Sequence, residues 1–287
     1  MPEGDTIWRV ADRLRPALVG AELRRFDAPR LTGPRPRIGE RVVAVEPVGK
    51  HLLVRFERGV TVHTHLRMTG SWHLYRSGER WRKPAHLARL VIGVDGWEAV
   101  CFAAPVVRSV GPNDDPVAHL GPDLASADPD IDLAVGRMAA LVDGDALIVD
   151  ALLDQRVAAG IGNVYKSEVL WAVRVSPLAR LGQVDLAKRR ELLAVAHRFL
   201  RANLGPGARV TAPGVPGGVA AYGRRGRPCP RCGTPIERRV LGATVRSTYW
   251  CPRCQPLPAG PGPNGGAGRG AAPPAEEEGP DGAGDGG

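Results

Sequence analysis

The chain has 287 residues, 43% of them hydrophobic, enough for about two modest cores. No run of 18 or more apolar residues occurs and no basic stretch leads into an apolar one near the start, which argues against a membrane-spanning helix and a secretory signal and points to a cytoplasmic protein. Net charge is +9 and unevenly spread: residues 256–287 set Arg269 against five acids, a net of −4, so the rest carries +13 and suits a polyanionic partner, most simply nucleic acid.

Met1-Pro2-Glu3-Gly4 opens the chain. With Met1 removed, Pro2 presents a free secondary amine able to attack a carbonyl carbon, and the adjacent Glu3 can move protons for it. A chance Met-Pro start is the alternative. A helix is expected from about Asp5 to Leu18, with Ile7, Val10, Ala11, Leu14 and Leu18 on one face. Strands follow. Leu52, Val54 and Phe56 alternate with Leu53 and Arg55, and Val60-Thr61-Val62 and Leu90-Val91-Ile92 are further strand centres. Asp95-Gly96 between Val94 and Trp97 is a two-residue hairpin turn. Residues 1–125 therefore read as a β-sandwich or barrel with an early helix.

Residues 126–136, rich in Asp, Pro and Ala, read as a linker. From 137 to about 204 the pattern turns helical: Ala146 to Leu153, a break at Gly160-Ile161-Gly162, a second segment from Asn163 to Val173, and a longer helix capped by Asp185. The glycines of the break let the backbone approach a partner, and the helix N-terminus after them attracts phosphate. An ordinary interhelical turn is the alternative. Residues 205–220 are rich in glycine and proline and read as a loop. The Gly/Pro/Ala tail from residue 256 cannot bury a core and reads as disordered.

Five cysteines are present. Cys101 lies within an apolar strand pattern and reads as a buried small hydrophobe. The other four form Cys229-Pro-Arg-Cys232 and Cys251-Pro-Arg-Cys254, 18 residues apart. Two such knuckles supply four thiolates for tetrahedral Zn²⁺, with no open position, so the metal is structural. Ile236 to Leu241 and Thr244 to Trp250 between them suggest a β-hairpin turning at Gly242, with Arg238, Arg239 and Arg246 suited to phosphate. Gly49-Lys50-His51 sits at a strand start after an expected turn; Lys50 there can reach a phosphate or relay a proton, or can be an exposed turn lysine. His51, His63 and His65 alternate along strand patterns without metal-motif spacing.

Together, Met1-Pro2-Glu3-Gly4, Gly49-Lys50-His51-Leu52, Gly160-Ile161-Gly162-Asn163-Val164-Tyr165 and the stretch from Arg246 through Cys251-Pro-Arg-Cys254-Gln255 resemble the formamidopyrimidine-DNA glycosylase and endonuclease VIII family over Pro2 to Gln255. Ala118-His119-Leu120-Gly121-Pro122 and Tyr222-Gly223-Arg224 add to the likeness. The resemblance implies an α+β, multidomain fold: an N-terminal β-sandwich (1–125), a helix–two-turn–helix domain (137–220) and a Cys₄ zinc finger (221–255), with the tail at 256–287. It implies a monomer that binds damaged DNA and needs no cofactor beyond one structural Zn²⁺. Pro2 would be the nucleophile, Glu3 the proton shuttle and Lys50 a phosphate contact. Asn163 and Arg246 would hold the phosphates around a flipped nucleotide, and Met68 would fill the vacated stack. Glu168 falls where the family has an acid near the active site.

The branch is read from departures. Where the purine-lesion branch carries an Arg-Phe pair, this chain has Ala104-Pro105-Val106-Val107-Arg108-Ser109, and its loop before Tyr222 is short. Pro2-Glu3-Gly4-Asp5-Thr6 also looks more like endonuclease VIII. Oxidised pyrimidines are thus the expected substrates, with 8-oxoguanine and formamidopyrimidines as the alternative and bubble or single-stranded DNA as a further substrate form. Two rivals from other classes are a non-catalytic zinc-containing DNA-binding protein and a zinc-ribbon subunit that binds RNA.

Overall fold

The computed structural model describes residues 2–257. Met1 and the tail from residue 258 on, where disorder was expected, lie outside the described residues. Helix α1 (Gly4–Leu18) starts one residue before the expected Asp5, because the Glu3 carbonyl accepts from Thr6 and Ile7 N–H. Eight strands follow: β1 (Leu23–Asp27), β2 (Val42–Val48), β3 (His51–Phe56), β4 (Thr61–His65), β5 (Ser71–Arg76), β6 (Ala88–Val94), β7 (Trp97–Phe102) and β8 (Val106–Val110). They form two antiparallel sheets, β1-β6-β7-β5 and β2-β3-β4-β8.

The alternation in β3 sets the sandwich. Leu52, Val54 and Phe56 face a core shared with Leu23, Val45, Leu90 and Ile92, which the α1 residues Ile7, Ala11, Leu14 and Leu18 also enter. Leu53, on the opposite face, packs with Val117, Leu120 and Ala159 and joins the sheet to the helical region. The Asp95-Gly96 turn connects β6 to β7 with Gly96 at φ +80°. Cys101 is fully buried, and burial pushes its thiol pKa up, so it is an inert packing residue.

The helical region contains α2 (Ile131–Leu141), α3 (Ile148–Leu153), α4 (Asn163–Val173) and α5 (Leu186–Ala202) around a separate core. The linker expected over 126–136 is corrected in its second half: α2 begins at Ile131, because the Asp130 carboxylate accepts from Leu133 N–H and caps it. Asp185 caps α5 as expected, through Lys188 N–H. The last strands, β9 (Glu237–Leu241) and β10 (Arg246–Trp250), make the expected hairpin, with Gly242 at φ +77° in the turn. Among the described residues no helix is long and apolar enough to cross a membrane.

Candidate active site and metal centre

The site begins at the break between α3 and α4. Gly160, at φ +107°, turns its carbonyl toward the start of the chain, where Gly4 N–H donates to it at 3.0 Å. Glu3 then lies against the first turn of α4. Its carboxylate, fully buried, accepts from the N–H groups of Gly162 (2.9 Å), Val164 (2.8 Å) and Tyr165 (3.3 Å). A carboxylate at a helix N-terminus satisfies orphan donors and meets the positive end of the helix dipole. Gly162 has no side chain because a Cβ there would overlap Glu3, 2.7 Å from Oε1. Three of the N–H groups that the sequence offered to a phosphate are therefore used by Glu3.

Lys50 enters from the turn between β2 and β3. Gly49, at φ +56°, donates its N–H to Asp123 Oδ2 at 2.9 Å and sits against Ala159 of the helical region. Lys50 is half-buried, and loss of hydration pushes its pKa down from 10.5 to about 8, with the Glu3 charge opposing and Arg246 adding to the fall. The β4–β5 turn brings Arg67, at φ +46°, and Met68, which is 63% exposed. Arg246 enters on β10, whose hairpin tip is docked onto α3 by Ala243 N–H donating to Asp150 Oδ1 at 2.8 Å.

Pro2, Lys50, Met68, Asn163 and Arg246 line one pocket of about 340 Å³, together with His65, Arg67, Gln155 and Gly162. Glu3 does not line it; its buried carboxylate lies behind the lining residue Gly162, whose N–H it accepts. Five of the six predicted DNA and catalytic residues thus share a single concave surface, and the sixth is buried directly under it. The pocket offers Pro2, three cations (Lys50, Arg67 and Arg246) and the exposed apolar side chain of Met68 around a space open to solvent.

Glu168 is elsewhere. Its carboxylate accepts from Thr211 Oγ1 (2.6 Å) and from the N–H groups of Ala220, Ala221 and Tyr222 (2.8, 2.8 and 2.7 Å), so it anchors the segment after α5 rather than lining the pocket. The histidines cluster behind the pocket. His51 Nδ1 and His63 Nε2 are 2.7 Å apart, Arg108 Nε donates to His63 Nδ1 at 2.9 Å, and His65 reaches the pocket wall. Burial pushes their pKa values down to about 3, 4 and 4 for His51, His63 and His65, helped by the neighbouring imidazoles at His51, by Arg108 at His63 and by Lys50 and Arg67 at His65, so all three are neutral near pH 7.

Sequence reasoning missed Lys166. It is fully buried in α4 and donates to Asn163 Oδ1 (2.7 Å), Thr248 Oγ1 (2.8 Å) and Ser247 O (3.3 Å). That orients the Asn163 amide, with its oxygen toward Lys166, and ties α4 to the strand bearing Arg246. Burial lowers the Lys166 pKa to about 8. The available signal was a lysine one helical turn after Asn163 on the same face of the helix.

The four cysteines Cys229, Cys232, Cys251 and Cys254 bring their sulfurs within 4.8 Å of one another. Tetrahedral Zn–S bonds of about 2.3 Å put sulfurs about 3.8 Å apart, and the Cys229–Cys254 and Cys232–Cys251 sulfurs stand 4.0 and 3.4 Å apart, so the all-thiolate set fits Zn²⁺. Outer contacts fix the knuckles: Trp171 Nε1 donates to Cys229 Sγ at 3.4 Å, and Gln255 links Cys251 N–H to the Val175 carbonyl. Arg231 stacks on Trp171 at 4.0 Å and donates to the carbonyls of Trp171 and Ala172, seating the module on the C-terminal end of α4.

A β-sandwich, a helix–two-turn–helix domain and a Cys₄ finger around one basic pocket define a DNA repair glycosylase fold. The family profile described as the formamidopyrimidine-DNA glycosylase N-terminal domain matches residues 1–106, that of the formamidopyrimidine-DNA glycosylase H2TH domain residues 120–212, and that of the zinc finger found in FPG and IleRS residues 226–257. A probable endonuclease 8 2 of Streptomyces coelicolor is 42% identical over 283 residues, covering 95% of this chain and 99% of that one. The DNA-(apurinic or apyrimidinic site) lyase Nei2 of Mycolicibacterium smegmatis is 36% identical over 89% of this chain and 99% of its own. The crystal structure of the MutM (Fpg) protein from Thermus thermophilus superposes with a TM-score of 0.71 at 29% identity, over 91% of this chain and all of that one. The chain belongs to the formamidopyrimidine-DNA glycosylase and endonuclease VIII family, as a zinc-finger enzyme with DNA glycosylase and abasic-site lyase activity in base excision repair.

Proposed function

We propose that the enzyme removes oxidised pyrimidines through a covalent iminium on Pro2 and then cuts the strand by β,δ-elimination. The observation that carries this is the single pocket formed by Pro2, Lys50, Met68, Asn163 and Arg246 above the Glu3 carboxylate. A base inside a duplex is out of reach, so the nucleotide leaves the stack at a cost of a few kcal/mol, about that of one good contact. Met68, exposed at the pocket rim, occupies the vacated space and offsets that cost. Arg246 and the Asn163 amide hold the flanking phosphates, and Lys50 adds a cation beside the sugar.

The Pro2 nitrogen attacks C1′ and forms the new C–N bond as the C1′–base bond breaks with its electron pair. Glu3 carries the proton that opens the sugar ring. The iminium withdraws electrons from C2′; loss of a C2′ proton expels the 3′ phosphate, and a second elimination expels the 5′ phosphate. An α-amine has a reference pKa of about 7.7–8.0, so a reactive neutral fraction exists near pH 7.

Three observations favour the pyrimidine branch. Val107 and Arg108, at the place of the purine branch's Arg-Phe pair, lie in β8 and pair with β4. The segment before Tyr222 is fastened by Glu168 rather than free to cover a base. Relatives at 42% and 38% identity are named endonuclease 8 2. With Met68 as the one exposed apolar wedge at the rim, bubble or single-stranded DNA is accepted alongside duplex. The enzyme works as a monomer in the bacterial cytoplasm.

The test is borohydride trapping on a duplex with one abasic site, beside Pro2→Gly and an N-terminally extended control. An adduct lost in the N-terminally extended control supports the terminal iminium. Absence of adduct in protein shown to lack Met1 leaves the non-catalytic DNA-binding reading. A panel of thymine glycol, 5-hydroxycytosine and 8-oxoguanine then assigns the branch, and a strong preference for 8-oxoguanine opposite cytosine would assign the purine one.

A further inference from the structure

We propose that Arg209 is a positioning residue for the Pro2 amine, and that residues 203–222 form a strap holding the catalytic N-terminus in register with α4. The proposal rests on Pro2 being the nucleophile.

The first residues of a chain fray unless something ties them down. Here each tie comes from the helical region. Gly4 bonds to Gly160 and Glu3 to the first turn of α4, which fixes two points. The third is Asp5. Its carboxylate is fully buried and meets the Arg209 guanidinium in a fork, Nη2 to Oδ1 at 2.6 Å and Nε to Oδ2 at 2.9 Å. Arg209 also stands 3.9 Å from Glu3 Oε1 and lies over the Tyr165 ring at 4.7 Å. Arg9 closes the group, donating to Asp5 Oδ2 at 3.2 Å and to the Gly207 carbonyl at 2.6 Å.

The strap is fastened on both sides of Arg209. Asn203 bonds both the N–H and the carbonyl of Val210, at 2.7 and 2.9 Å. Glu168 holds Thr211, Ala220, Ala221 and Tyr222. Asp5 sits in the first turn of α1, so gripping it fixes the rotation of that helix about its axis. That rotation decides where Pro2, three residues earlier, points its nitrogen. Arg209 is not among the pocket-lining residues, so it acts on the reaction through Asp5 and Glu3 and not by touching DNA.

The experiment measures three quantities on full-length Arg209→Met, Arg209→Lys, Asp5→Asn and the double variant Asp5→Asn/Arg209→Met. They are the single-turnover rate of borohydride trapping on abasic duplex, the Kd for a duplex carrying a tetrahydrofuran abasic analogue, and Tm. A displacement of about 1 Å at reacting atoms costs on the order of 100-fold in rate. Trapping by Arg209→Met should therefore fall by about 10- to 100-fold, with Kd within about 2-fold of wild type. Arg209→Lys, which cannot fork, should fall between the two. The double variant buries no unpaired charge, so it should recover Tm without recovering the trapping rate. A double variant with the wild-type rate would overturn the proposal, since the pair would then serve stability alone. So would a folded Arg209→Met at wild-type rate, or a fall in rate matched by an equal loss of affinity. If wild type itself gives no adduct, the Pro2 reading fails and takes this one with it, an outcome separable because it does not depend on residue 209.

Discussion

At Gly162 a backbone position and a side chain compete for one space. The Glu3 carboxylate fills the volume that a Cβ would occupy and draws three N–H bonds from α4. Gly162→Ala should push the carboxylate off the helix, costing about 1 kcal/mol as a lost cap and lowering abasic-site trapping by about 10-fold or more. Trapping yields beside thermal melts check this, and a fully active Gly162→Ala would refute it. Lys50 is a second residue whose environment disfavours it. Its pKa, lowered from 10.5 to about 8, means that between those values the unfolded chain keeps a proton the folded chain has lost. Stability from this group therefore rises with pH across that window, and the full penalty is present below pH 8. Lys50→Met should raise Tm at pH 7, with the gain shrinking as pH approaches 10.5, while strand cleavage drops about 10-fold or more for want of a charged phosphate contact. Melts at several pH values and a cleavage assay decide it.

Among the elements, α4 connects the site to everything else. Every residue from Asn163 to Leu170 is buried, polar ones included, and each buried polar side chain among Asn163, Lys166, Ser167 and Glu168 has partners. Leu170, fully buried in the helical core, should cost about 2–5 kcal/mol when cut to Ala, measurable by urea unfolding. The β9–β10 hairpin depends on metal instead. Two strands of five residues each are marginal in water, and the four thiolates set their base. Chelation should free Arg246 and weaken binding to abasic-analogue DNA by about 10-fold or more, while far-UV dichroism of the helices stays near its starting value. A chelated protein with unchanged Kd would show that the hairpin holds without zinc.

Over the whole molecule, the pocket exists only where three parts meet: the β2–β3 and β4–β5 turns of the sandwich, the start of α4, and the tip of the zinc hairpin. The +13 carried by the chain outside residues 256–287 supplies the long-range attraction. Affinity for DNA should fall linearly on a log–log plot against salt, and Arg246→Ala should reduce the slope by about 1. An unchanged slope would remove Arg246 from the phosphate contacts.

Local chemistry made much of this readable before any fold was known. Alternation in β3, the Asp95-Gly96 turn, the capping Asp185 and the two cysteine knuckles act over a few residues, and each appears where its pattern placed it. Composition alone misled at 126–136, because a single cap, Asp130, was enough to start a helix in a stretch that looked like linker. The separated motifs, through their family likeness, pointed to Pro2, Lys50, Met68, Asn163 and Arg246, but their convergence on one pocket was decided by tertiary packing. So were the Glu3 cap on α4, the Asp5–Arg209 fork, the grip of Lys166 on Asn163 and β10, and the placement of Glu168 under the strap. Apart from Lys166 and Asn163, these partners lie 53 to 204 residues apart. Periodicity reports which face of an element is apolar; it carries no information about which distant polar group will complete a buried one.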